Sequence, residues 1–196
     1  MRLCFLLASV VTGALLLMQP STADPDRNLQ RLEHFEQEQT RMEWFVGNDN
    51  VMGGRSRGEF VIRDGALLFS GSTNTNGGGF SSIRSRSEAL NLSEFDGIQL
   101  ELEGDGRRYT WRLATGSSWR GIPVGYWAEF DTSAGESQTI RLPFDAFYPQ
   151  AYGRKLQGLN IDLTRVNGMG IMIYDGQDGP FALRLKSVSA YRTPSK

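Results

Sequence analysis

Short runs in which apolar and polar residues alternate recur along most of this chain, with glycine- and aspartate-containing turns between them. In residues 98–103, for example, Ile98, Leu100 and Leu102 alternate with polar side chains, which gives the segment one apolar and one polar face. Seven or more such segments, without a long helical pattern, predict an all-β antiparallel sandwich or barrel. The predicted core residues are Phe69, Leu100, Leu102, Trp111, Leu113, Phe130, Ile171, Leu183 and Leu185.

Two pairs of neighbouring segments are predicted to form β-hairpins. Residues 59–69 contain Asp64-Gly65, a residue pair that favours the two-residue type I′ turn. Residues 98–113 contain Gly104-Asp105-Gly106, and we expect the segments on either side of it to pair in the same way. Further strands are predicted at 125–131, 138–142, 169–174 and 181–190.

Two other segments are less regular. Residues 24–40 are polar, with a few apolar residues at helical spacing, yet residues 31–35 fit an edge strand equally well. Residues 144–160 are predicted to be a long irregular connection, and connections of that length often carry function.

The N-terminal residues predict export. Arg2 precedes an apolar run over residues 3–18, which is shorter than the roughly 20 residues that a membrane-spanning helix needs. Small residues at Ser21 and Ala23 then provide a signal-peptidase site. We therefore expect residues 1–23 to be a signal peptide and the mature protein to be periplasmic or secreted, without stable insertion in a membrane. An uncleaved N-terminal anchor is the alternative.

Composition excludes several kinds of function. The only cysteine is Cys4, inside the predicted signal peptide, so the expected mature chain has no thiol for a disulfide or a metal site. His34 is the only histidine, which rules out a histidine metal cluster, and we expect it to take no part in a Ser-His-Asp triad. A net charge of −1 provides no basis for binding nucleic acid. We expect a protein without enzymatic activity, metal or cofactor.

Several motifs resemble one known family. Trp44, followed by Asp49-Asn50-Val51-Met52-Gly53-Gly54-Arg55-Ser56, is similar to the opening signature of the complex I intermediate-associated protein 30 domain. Further segments resemble that family's later motifs in the same order: 78–84, 104–109, 142–149 with Gly153-Arg154, 170–173 and 178–181.

The resemblance implies a fold and a role. It implies a jelly-roll β-sandwich, similar to galactose-binding domains, over residues 35–192, after a polar segment at 24–34. It also implies a protein-binding role, because the family's mitochondrial members are chaperones that help to assemble respiratory complex I.

The turn that begins at Asp49 has two interpretations. Its oxygen atoms could form an ion-binding loop. Alternatively, the Asp49 carboxylate accepts backbone hydrogen bonds, two glycines adopt positive φ, and Val51 and Met52 fill the core. We favour the structural interpretation. The residues assigned to this turn are Asp49, Asn50, Met52, Gly53, Gly54 and Ser56.

Aromatic and planar polar residues in predicted loops and on outer faces are the candidate binding residues. They suit a protein interface, where such side chains dominate the binding energy. They also suit a carbohydrate or small-ligand site of the cell envelope, where rings stack on sugars. We favour an unknown protein partner and keep carbohydrate as the alternative. The candidates are Trp119, Trp127, Tyr148, Tyr152, Arg154, Gln177 and Asp178.

Overall fold

The computed structural model describes residues 28–36, 40–87 and 89–194. The predicted signal peptide and residues 24–27 lie outside these ranges. Within them, no helix has the length and apolar character needed to cross a bilayer.

One of the two sheets has six strands in the order β3-β4-β13-β6-β9, with β1 paired to β13. All of its pairings are antiparallel. Its strands are β1 (Leu29–His34), β3 (Arg57–Arg63), β4 (Ala66–Thr73), β6 (Gly97–Glu103), β9 (Ser137–Pro143) and β13 (Gly179–Tyr191).

The second sheet has seven strands in the order β11-β10-β8-β7-β12-β5-β2 and is also antiparallel. Short 3₁₀ helices occur at Asp49–Met52, Phe144–Ala146 and Leu163–Arg165. The strands are β2 (Glu43–Asn48), β5 (Ser81–Arg86), β7 (Arg108–Trp119), β8 (Ile122–Asp131), β10 (Tyr148–Ala151), β11 (Arg154–Lys155) and β12 (Gly168–Ile173).

The core lies between the two sheets and confirms the predicted jelly-roll sandwich. All nine residues predicted for it from alternation are buried. Each sheet contributes one apolar face, as alternation requires. For example, Leu100 of β6 and Trp111 of β7 are both fully buried, although they belong to different sheets.

One predicted hairpin is confirmed and the other is wrong. β3 and β4 pair around Asp64 and Gly65, whose φ angles of 52° and 69° match a type I′ turn. β6 and β7 do not pair, because the segment at 104–106 carries the chain from the first sheet to the second. The Asp105 carboxylate fixes this crossing by accepting hydrogen bonds from the backbone of Ala182 and the hydroxyl of Tyr109.

The irregular segments are more ordered than the sequence indicated. Of the two interpretations of residues 31–35, the edge strand is correct, since β1 pairs with the end of β13. The prediction of an irregular connection over residues 144–160 is wrong in its first half, because β10 pairs with β8 and β11 pairs with β10. These short strands extend the edge of the second sheet.

Candidate functional site

The outer face of the second sheet, which points away from the core, carries the most unusual group of side chains. Neighbouring residues such as Trp111, Ile83 and Ile171 point inward and are fully buried, so the residues between them point outward. Strand register aligns six of the outward residues in one row across the sheet: Tyr148, Trp127, Arg112, Gly170, Arg84 and Phe45.

Four members of the row line a depression with a volume of about 490 Å³, which we call the arginine trough: Phe45, Arg84, Gly170 and Arg112. Trp127 and Tyr148 continue the row outside its lining. Gly168 and Gly170 of β12 and Gly125 of β8 are among its lining residues, and they leave space that side chains would occupy. A Cβ atom on Gly170 would collide with the backbone of β5, so the strands can approach this closely only with glycine there. The trough is lined by Arg84, Arg86 and Arg112. Among the residues that the structure describes, no acidic residue lines it.

Arg84 and Arg112 pair with Gly170 from either side, and neither has a carboxylate partner among the described residues. The Nε atoms of both are buried and form no hydrogen bond with any described residue. The Arg112 guanidinium carbon lies 5.1 Å from the centre of the Trp127 ring, a cation–π contact. The guanidinium of Arg84 lies over Gly47, where an added Cβ would be 3.7 Å from its central carbon.

Burial and mutual repulsion shift the pKa values of these two arginines. Burial, together with the charge of Arg84, lowers the pKa of Arg112 to about 9. Burial also lowers the pKa of Arg84. Both groups stay protonated at neutral pH, so the trough concentrates positive charge in a poorly solvated place.

Two of the residues predicted from the sequence, Trp127 and Tyr148, meet on this face as cross-strand neighbours. Trp127 is half-buried and its indole Nε1 has no hydrogen-bond partner among the described residues. The Tyr148 hydroxyl donates a 2.8 Å hydrogen bond to the Glu129 carboxylate. Burial and that carboxylate raise the pKa of Tyr148, so it remains a neutral phenol.

The structure places the remaining predicted binding residues elsewhere. Trp119 is not in a loop but ends β7, where Arg120 stacks on its ring at 4.7 Å. Tyr152 and Arg154 are exposed at the turn between β10 and β11. The seven candidates therefore do not form one site.

Gln177 and Asp178 hold loops together between β12 and β13. Asp178 accepts a 2.6 Å hydrogen bond from the backbone of Thr75, and the Gln177 carbonyl accepts one from Arg107. The Asp178 carboxylate therefore has a structural contact within the chain, whereas Gln177 contributes only its backbone carbonyl.

Sequence reasoning missed Phe45, Arg84 and Arg112. Each occupies an outward position next to a buried residue, so alternation predicts only a solvent-facing side chain. The signal that could have identified them is strand register, which joins strands far apart in the sequence: Arg84 and Arg112 pair with Gly170, and Phe45 pairs with Arg84.

The Asp49 turn is tightly bonded within the chain. The fully buried Asp49 carboxylate accepts hydrogen bonds from the backbone of Ser56 at 2.9 Å and Gly79 at 2.6 Å, and from the Ser56 hydroxyl at 2.6 Å. Although burial opposes its ionisation, these bonds hold the pKa of Asp49 below its usual value. No group of three or more potential metal-ligating side chains occurs in the described residues.

Two details of that turn differ from the prediction. Gly53 has the expected positive φ of 84°, but Gly54 is needed for space, because a Cβ there would collide with the Asp49 carboxylate. Met52 does not fill the core and is 66% exposed. The short 3₁₀ helix at Asp49–Met52 is the reason, since it turns this side chain outward.

Comparison with known sequences identifies relatives. The complex I intermediate-associated protein 30 (CIA30) family matches residues 33–185. An uncharacterized protein of Schizosaccharomyces pombe is 30% identical over 115 residues, which are 51% of this chain and 51% of that protein. The chain thus spans about half the length of that relative.

Solved structures of low identity share the fold. The family 11 carbohydrate-binding module of the cellulosomal cellulase Lic26A-Cel5E of Clostridium thermocellum has a TM-score of 0.63 at 14% identity, covering 86% of this chain and 96% of its own. The Clostridium thermocellum module in complex with a β-1,3-1,4-mixed-linked tetrasaccharide has a TM-score of 0.62 at 14% identity, with 86% and 98% covered. The agarase AgWH50C gives 0.61 at 13% identity, with 86% and 25% covered.

Proposed function

Because this chain belongs to the complex I intermediate-associated protein 30 family, and its sandwich resembles carbohydrate-binding modules, we propose that it is a non-catalytic binding module. Its ligand site is the arginine trough on the outer face of the second sheet. The observation that carries this proposal is the row from Phe45 to Tyr148, which aligns aromatic and guanidinium groups across a glycine floor.

The shape of the trough favours a saccharide or another small ligand over a flat protein surface. Its volume of about 490 Å³ falls within the range usual for small-ligand sites. Planar polar groups next to aromatic rings suit the hydroxyl groups and ring faces of a sugar. One neighbouring module was solved with a tetrasaccharide bound, which is consistent with this ligand class.

The residues lining the trough support binding rather than catalysis. They provide arginines, serines and glycines, but among the described residues no carboxylate or imidazole that could transfer a proton near neutral pH. A glycoside hydrolase needs a pair of carboxyl groups on either side of the scissile bond. The trough has no such pair in the part of the chain that the structure describes.

A protein partner is the second candidate. The family's description as an intermediate-associated protein favours it, and tryptophan and arginine are the side chains most often found at binding hot spots. If the predicted signal peptide directs export, the protein would bind either ligand outside the cytoplasm.

Titration of the isotopically labelled protein with soluble oligosaccharides, followed by NMR, tests the proposal. We expect chemical-shift changes to centre on Trp127 and Gly170, and Trp127→Ala to abolish them. Trp119→Ala is the matched control, because Trp119 lies outside the row and its loss should leave binding unchanged. Shifts centred elsewhere, or binding that survives Trp127→Ala, would exclude this face as the site. A captured protein partner that loses affinity in Trp127→Ala, with no oligosaccharide response, would favour the second candidate.

A further inference from the structure

We propose that the arginine trough binds an acidic saccharide, whose carboxylate or sulfate group lies between Arg84 and Arg112. This inference rests on the proposed function and specifies the charge of the ligand. Both acidic groups present anionic oxygen atoms on a sugar ring, which is the chemistry that the trough recognises.

The first argument is the set of buried hydrogen-bond donors without acceptors. The Nε atoms of Arg84 and Arg112 and the Nε1 atom of Trp127 can only donate, and all three are buried without a partner in the described residues. Such groups are normally satisfied in folded proteins. A ligand that satisfies them must therefore provide several acceptors close together, as an acidic group does.

The second argument comes from the other arginines of the fold. Arg107, which is also mostly buried, is held by Asp175 through hydrogen bonds of 2.6 and 2.8 Å. Arg108 is paired with Asp131 at 2.7 Å in the same way. The charge that acts most on Arg112 is instead the like charge of Arg84. Among the described residues, the trough is thus a site where two largely buried cations lack a carboxylate such as the one that holds the mostly buried Arg107.

The third argument is geometric. Arg84 and Arg112 both pair with Gly170, from opposite sides of β12. Their backbones are therefore two strand spacings apart, or about 10 Å. The Arg112 guanidinium is turned towards Trp127 of β8 and the Arg84 guanidinium towards Gly47 of β2, so the part of the trough above Gly170, between the two side chains, is open to a ligand group. Arginine forms bidentate hydrogen bonds with such oxygen atoms.

The aromatic rings of the row also favour an acidic ligand. Arg112 lies over Trp127 and Arg86 lies over Phe45, each with its guanidinium carbon 5.1 Å from the ring centre. One face of each of these two rings is therefore occupied by a cation, and a sugar can stack only on the other face. The stacked guanidinium groups are held in place and can direct their N–H groups towards the ligand.

A carboxylate in the neighbouring row of this face has partners of its own. Glu129 of β8 accepts the hydrogen bond from Tyr148 and lies 3.8 Å from Arg108. It occupies the neighbouring row, opposite Thr110, and so does not neutralise the pair beside Gly170.

Isothermal titration calorimetry of the full chain tests the inference with three matched probes: a uronic-acid oligosaccharide, a sulfated oligosaccharide and a neutral oligosaccharide of equal length. We expect an acidic probe to bind, with an affinity that falls as salt rises. Arg84→Met and Arg112→Met should each weaken binding by roughly ten- to a hundredfold, the effect of losing a charge-assisted hydrogen bond. Arg154→Met, at an exposed site outside the row, should leave binding unchanged. Arg112→Lys keeps the charge and should retain part of the affinity, which separates recognition from misfolding.

The remaining outcomes separate this inference from the proposed function. If only the neutral probe bound, and Trp127→Ala abolished that binding, the inference of an acidic ligand would be wrong, but the proposal of a saccharide-binding module would stand. No binding of any probe would overturn both. If inorganic sulfate bound as tightly as the sulfated sugar, the trough would be a simple anion site, and the inference that it recognises a saccharide would be wrong. The uronic-acid and sulfated probes identify which acidic group is preferred.

Discussion

Replacing Arg112 with methionine should raise the free energy of unfolding, although it removes a residue of the proposed ligand site. In the folded protein Arg112 is shielded from water and close to the like charge of Arg84, and these two effects lower its pKa to about 9. Unfolding returns both charges to water and so removes the cost of burial and the repulsion between them. Methionine has a flexible apolar side chain that can fill much of the same space without a charge.

The structure gives the size of the effect. If the two charges are as far apart as their backbones, about 10 Å, they repel by about 1.7 kcal/mol at the effective dielectric constant of about 20 that suits protein sites. Removing the burial cost of one charge adds a few kcal/mol more. Loss of the contact with Trp127 subtracts about 1–2 kcal/mol. We therefore expect a net stabilisation of about 2–4 kcal/mol, or about 4–16 °C in Tm.

Urea denaturation of the full chain, extrapolated to zero denaturant, measures the change. Arg108→Met is the matched control, because Arg108 is exposed and paired with Asp131, and its loss should change stability by less than about 1 kcal/mol. If Arg112→Met destabilised the fold by more than about 1 kcal/mol, Arg112 would be a structural residue, and the argument from a buried unpaired charge would be wrong.

The pH dependence adds an independent check on the same residue. The pKa of Arg112 is about 9 in the folded protein and near 12.5 in the unfolded chain, so the unfolded chain binds more protons between these values. The cost of the buried charge is fully present below pH 9 and decreases as the pH rises above it. The stability advantage of Arg112→Met at pH 7 should therefore become smaller by pH 10, measured in urea at both pH values.

Three further predictions concern the fold and processing. Asp49→Ala should destabilise the protein by about 1–3 kcal/mol, because it leaves buried donors unpaired. The Tm of the wild-type protein should not change when calcium is added. A rise in Tm with calcium that Asp49→Ala abolishes would show an ion site. Because the pKa of Asp49 is lowered, its contribution should be lost only as the pH falls below about 4. Leu100→Ala should cost about 2–5 kcal/mol in chemical denaturation, since Leu100 is fully buried, and a cost below about 1 kcal/mol would contradict that burial. N-terminal sequencing of the exported protein should begin at Asp24, and a full-length cytoplasmic chain would disprove the signal peptide.

Alternation along the sequence predicted the fold class and the core because each strand exposes every second residue to one side. It assigned Leu100 and Trp111 correctly to buried faces. It could not show which strands are neighbours, because a strand alternates between the same two faces whichever strand it pairs with. The predicted hairpin at residues 98–113 was wrong for that reason, and its two strands belong to different sheets.

The motif residues were the other part that the sequence could provide. Asp49 and its glycines were recognised as a turn because their contacts are mostly within a short stretch of chain, although the donor at Gly79 came from a distant loop. Trp127 was placed correctly on an outer face, whereas Tyr148 was placed in the long connection, and their adjacency followed only from the pairing of β8 with β10.

The arginine trough was decided by the tertiary structure alone. Arg84 and Arg112 are ordinary outward-facing residues of two strands, and in the sequence each looks solvated. They become a buried pair of like charges only because β12 lies between β5 and β7 and contributes Gly170, which has no side chain to separate them. Local patterns determine which way a side chain points, but the low-dielectric surroundings and repulsion that distinguish this pair arise from neighbours that folding brings together.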